Sequence, residues 1–106
     1  MLTDQLTLSP YTEQRRHHAA FQKFHQEHPD VYTELVNLAR QIRARGHTRY
    51  GIATLFEVVR YHRDTSGQDD AGFKLNNNYR AYYARHLMEN EPDLEGMFEL
   101  RSLRSA

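Results

Sequence analysis

Three consecutive amides, Asn76, Asn77 and Asn78, are followed by Tyr79, Arg80, Tyr82, Tyr83 and Arg85, and this is the stretch of the chain best equipped for recognition. Asn pairs bidentately with the edge of adenine. Arginine offers a fork of donors that matches phosphate. Asn76, Asn77, Asn78 and Arg80 could approach bases or phosphates, while Lys74 and Arg85 could neutralise phosphates. Phosphate contacts give affinity and orientation, and base-edge contacts give sequence preference. The alternative is structural: one Asn caps a helix, another makes an Asx-turn, and Arg80 pairs with a nearby carboxylate. The tyrosines divide in the same way. Stacking on single-stranded bases is worth about 1–3 kcal/mol each, but helical spacing places Tyr79 and Tyr83 on one face and favours packing for at least one of them.

Other chemistries find less in the sequence. Seven histidines raise the question of a metal, with His25 and His28 three apart and His17 or His18 on the same candidate helix. Zinc needs a convergent set of three or four ligands, and there is no Cys and no His-Glu-x-x-His helix. There is no G-x-S-x-G elbow, phosphate-binding loop or dinucleotide-type glycine fingerprint. Asp69, Asp70 and Lys74 fall in an expected loop, without the rigid placement that metal-dependent hydrolysis requires. The expectation is a protein that is not an enzyme and has no cofactor and no metal site.

The 106 residues fit one compact domain. Without Cys, internal disulfides and thiolate sites are excluded. No apolar run approaches the ~20 residues needed to cross a bilayer, and Met1 to Ser9 lack the features of a secretory signal. A cytoplasmic protein with no membrane partner is expected. Fourteen basic and fourteen acidic side chains cancel, so any attraction to nucleic acid must come from local asymmetry. That asymmetry is present. Arg40, Arg43, Arg45, Arg49, Arg60 and Arg63 stand against Glu57 alone, whereas Glu89, Glu91, Asp93 and Glu95 gather towards the C-terminus.

The elements that must position these residues are mainly α-helical. Residues 1–9 show no sustained periodicity and read as a loose, flexible arm preceding a single helical domain over 10–106. Pro10 suits the first turn of a helix running to about Gln26, with an apolar edge at Phe21 and Phe24. Pro29 interrupts the pattern. A second helix runs to about Arg45, with Val31, Leu35, Leu38, Ala39 and Ile42 on one face and Gly46 as its stop. A third, from about Tyr50 or Gly51 to Arg63, carries Ile52, Leu55, Phe56 and Val59. The connection between these two is short, so they should be neighbours. A polar loop follows from Thr65 to Gly72. A fourth helix is expected from about Asn77 to Glu91, ended by Pro92, and Met97 to Arg101 alternate enough to suggest a short strand or extended segment. Three to four helices with a short C-terminal extended segment resemble a winged helix-turn-helix in outline, with the fourth as recognition helix. The segment from Asp64 to Leu75 is much longer than a compact helix-turn-helix turn, and an irregular four-helix bundle is the alternative.

From His25 onward the chain also resembles a family of small, largely uncharacterised proteins of bacteriophages, prophages and some bacteria. The resemblance rests on Phe24-His25-x-x-x-Pro29-x-Val31-Tyr32, Gly51-Ile52-x-x-Leu55-Phe56-Glu57-Val58-Val59-Arg60, Phe73-Lys74-Leu75-Asn76-Asn77-Asn78-Tyr79, Tyr83-Ala84-Arg85 and Pro92-x-Leu94-x-Gly96-x-Phe98-Glu99-x-Arg101. It implies, at the level of fold analogy, a helix-turn-helix DNA binder. Tyr61 stands where relatives carry Trp.

The sequence therefore predicts a small phage-type protein that binds double-stranded DNA through Lys74, Asn76, Asn77, Asn78, Arg80 and Arg85, with Arg49 and Arg101 as further contacts. The competing expectation is a protein-interaction module, such as a phage inhibitor of a host protein, motivated by zero net charge, the acidic run and abundant tyrosine. A homodimer reading two half-sites is a third expectation.

Overall fold

The computed structural model describes residues 10–66 and 74–100, with side chains from Arg15 onward. It is a helical protein: α1 (Pro10–Glu27), α2 (Pro29–Ala44), α3 (Ile52–Thr65) and α4 (Arg80–Asn90). A 3-10 turn, Asn77–Tyr79, leads into α4, and a second, Pro92–Leu94, follows it. The expected arm over residues 1–9 and most of the polar loop after Thr65 lie outside the described residues.

Local chemistry accounts for the boundaries. Pro29 opens α2, where its missing N–H costs nothing. Asp30 sits in the first turn and Arg43 in the last, as the helix dipole favours. Gly46 ends the helix with φ +103°. Its N–H donates to the Arg43 carbonyl at 2.9 Å and the His47 N–H to that of Ile42 at 3.3 Å, which together make a Schellman cap. Asn76 rather than Asn77 caps the next start: its Oδ1 accepts from the Asn78 N–H at 2.8 Å.

The expected faces are the buried ones. Val31, Leu35 and Ala39 of α2 meet Leu55, Phe56 and Val59 of α3, with Leu38, Ile42 and Ile52 partly buried beside them. Val36 is buried as well, which the α2 stripe did not predict. α2 is central, touching α1, α3 and α4. Phe21 and Phe24 anchor α1, and Phe21 meets Tyr83 edge-on at 4.8 Å and stacks on Tyr82 at 5.2 Å.

Ion pairs reinforce the outside of this core. Arg63 of α3 reaches Asp30 at 2.7 Å, and His62 meets Glu34 at 2.7 Å. Arg40 of α2 holds the chain after α4, binding Glu91 at 2.8 Å and Asp93 at 2.9 Å. Tyr32 also donates its hydroxyl to Glu91, at 2.7 Å.

The segment after α4 differs from the expected alternation. Met97 and Phe98 are both buried, although they are adjacent and would point to opposite faces of a strand. No strand forms among the described residues. Gly96, at φ +78°, turns the chain so that Leu94 and Met97 both enter the core. The Met97 carbonyl accepts from the Tyr50 N–H at 3.0 Å. This ties the C-terminal segment to the loop before α3.

Candidate functional site

Leu75 is buried, and from there the chain emerges at Asn76. Arg60 of α3 fixes that exit by donating to the Leu75 carbonyl at 2.7 Å and to Asn77 Oδ1. Two of the three amides thus have structural work, Asn76 as cap and Asn77 as the acceptor for Arg60. The side-chain amide of Asn78 has no hydrogen-bond partner among the described residues. Arg80 pairs with no carboxylate there. Its Nε donates to the Asn77 carbonyl at 3.2 Å, and the residue is exposed.

A groove of about 610 Å³ lies beside this turn. Asn77, Asn78, Arg80, Ala81 and Ala84 form one wall, following the three- and four-residue spacing of a helix face. Arg49, Tyr50 and the first turn of α3 supply the second, and Met97, Glu99 and Leu100 the third. The groove exists because its helix positions are small: Gly51, Ala53, Ala81 and Ala84 contribute little or no side-chain volume.

Of the eight residues expected to contact nucleic acid, Arg49, Asn77, Asn78 and Arg80 come together on this groove. Asn76 is adjacent but occupied as a cap. Lys74 is exposed and Arg85 half-exposed, and neither lines the groove. Arg85 lies five residues beyond Arg80, roughly 140° around the helix. Arg101 lies outside the described residues.

Half of the arginines in the basic centre seen in the sequence are paired with carboxylates in the fold. Arg40 is bound to Glu91 and Asp93, Arg60 to Glu57 and Arg63 to Asp30. Arg43, Arg45 and Arg49 have no ion pair among the described residues, and Arg49 alone of these three lines the groove. The acidic run is reduced by the same contacts, since Glu91 and Asp93 face Arg40. The Arg40 hydrogen bond holds the Asp93 carboxyl below the usual carboxylate range.

The tyrosines are committed to packing. Tyr83 is fully buried, and burial pushes its phenol well above the ordinary value. Tyr79 contacts Phe24 at 5.1 Å, and Tyr82 stacks on Phe21 as described above. None of the three lines the groove. Sequence reasoning missed Glu99 and the small residues at 53, 81 and 84. The pair Ala81 and Ala84, in register with Asn77 and Arg80, was the available signal.

No protein-family model, curated protein or solved structure matches this chain.

Proposed function

We propose that this chain is a small DNA-binding protein that anchors phosphates with Arg49 and Arg80 and reads base edges to a limited extent with Asn78. The observation that carries the reading is the convergence of these three side chains from two separate elements on one groove. Arg49 and Arg80 are both exposed and make no ion pair among the described residues, so both are available to phosphate. Arg60 holds Asn77 and thereby sets the position of the turn that carries Asn78 and Arg80.

The helix-turn-helix-like part of the reading places α4 as the recognition helix, with its first turn facing the nucleic acid. Lys74, exposed just before that turn, and Arg85, half-exposed further along α4, suit additional phosphate contacts. The phage-type assignment rests on the sequence resemblance alone. The alternative, a host-protein interaction through the acidic run, draws less support because Arg40 engages Glu91 and Asp93.

The test is binding of a labelled mixed-sequence duplex by the protein and by a double variant, Arg49→Ala with Arg80→Ala. Loss of two phosphate contacts should lower the slope of log affinity against log salt by roughly 0.9 for each. An unchanged slope and affinity would rule out this groove as the anchor.

A further inference from the structure

The lining of the groove mixes small apolar side chains with charged ones of both signs. Ala53 is exposed and Ala81 half-exposed, and their methyl groups offer a phosphate oxygen no donor; Ala84 is fully buried. Glu99 is exposed, lines the same groove and makes no ion pair among the described residues. A negative group in a pure phosphate cradle opposes its ligand. It suits an amino group, because carboxylates accept from the exocyclic amine of cytosine. The volume, about 610 Å³, falls in the range of roughly 300–1,000 Å³ typical of small-ligand pockets. A fully paired duplex presents a convex backbone to such a concavity and leaves it unfilled.

Resting on the DNA-binding reading above, we infer that the groove takes a single unstacked nucleotide whose base carries an exocyclic amine. The base face lies against Ala53 and Ala81, Glu99 accepts from the amine, and the flanking phosphates meet Arg49 and Arg80. Asn78 is placed to pair with the remaining polar edge. The ligand is then single-stranded DNA, or a base extruded from a duplex, rather than an intact groove. Charge complementarity selects it: two cations for two phosphates and one carboxylate for one amine.

Two labelled single strands of about twelve nucleotides, within the usual reach of one binding domain, separate the possibilities. One is all deoxycytidine and the other all deoxyuridine, which differ on the pyrimidine edge and not in ring size. The deoxycytidine strand should bind about tenfold more tightly than the deoxyuridine strand and than a paired duplex. Glu99→Ala should abolish the preference between strands while leaving the salt slope intact. Ala53→Leu, which adds volume at an exposed position lining the groove, should weaken the deoxycytidine strand about tenfold without altering the thermal melt. Equal binding of both strands, or a Glu99→Ala variant that tightens both alike, would overturn the base pocket and leave phosphate anchoring standing. Failure of both strands and the duplex to bind at low salt would overturn the pocket together with the DNA-binding reading.

Discussion

Arg60 Nη2 donates to both the Leu75 carbonyl oxygen and Asn77 Oδ1, so a single guanidinium on α3 sets where α4 begins. The same side chain meets Glu57 through Nη1 at 2.8 Å. Hydrogen bonds to a charged, partly buried donor contribute about 1.5–3 kcal/mol. Arg60→Ala should therefore destabilise the protein by about that amount in urea titration. Arg60→Lys should recover only part of it, because an ammonium lacks the planar fork. Wild-type stability in Arg60→Ala would show that the α4 start is held by Leu75 burial alone.

Gly46 occupies the left-handed region that closes the Schellman cap of α2. No heavy atom would crowd an added Cβ, so the cost of Gly46→Ala is backbone strain alone, about 1–2 kcal/mol. A thermal or urea melt of the variant checks this. An unchanged midpoint would mean that the cap relaxes at no cost.

Tyr83 carries a buried hydroxyl with no hydrogen-bond partner among the described residues. Its ring fills the space between Phe21 and Phe56. Removing an unsatisfied hydroxyl while keeping the ring should be neutral or stabilising, by up to about 1 kcal/mol. Tyr83→Phe tests this in urea. A loss beyond about 1 kcal/mol would reveal a hydrogen bond that the described contacts do not contain.

Stability should also fall on mild acidification. His25 stacks on Phe21 at 5.8 Å and meets His86 at 5.0 Å, and its Nδ1 is buried without a partner among the described residues. Burial first, and the neighbouring His86 second, lower its pKa from 6.5. The fold thus favours the neutral ring. Its stabilising share is complete above the unfolded pKa and is lost as pH falls towards the lower, folded value. Between about pH 7 and about pH 5, where histidine ordinarily titrates, His25→Phe should lose less stability than the wild type. Parallel curves for the two proteins would place the acid sensitivity elsewhere.

Much of the architecture was legible in the sequence because it is written in local spacing. Val31, Leu35 and Ala39 repeat at helical intervals, and Gly46 and Pro92 mark ends through backbone chemistry that depends on few neighbours. The longer-range contacts left no such mark. Nothing in the order of residues says that Arg40 meets Glu91 and Asp93, and so this link between the basic centre and the acidic segment is not visible there. Helical spacing groups Tyr79 with Tyr83 and leaves Tyr82 without a partner in the sequence, because that partner, Phe21, lies on α1, far away along the chain. Met97 and Phe98 read as alternating because the turn at Gly96 that buries both is tertiary in origin. For the candidate site, Asn77, Asn78, Arg80 and Arg49 were identified from residue type. The groove that joins them is made by absent side-chain volume at positions 51, 53, 81 and 84, which residue-type arguments pass over.

The central claim is nucleic-acid binding through the Arg49–Arg80 groove, and fluorescence anisotropy of labelled DNA against the purified full chain tests it most directly. The measurement compares wild type with the Arg49→Ala, Arg80→Ala double variant at low and near-physiological salt. The account predicts binding in the micromolar range that weakens steeply with salt, and a double variant with lower affinity and a shallower slope. Absence of binding by the wild type at low salt, or equal binding by both proteins, would contradict it.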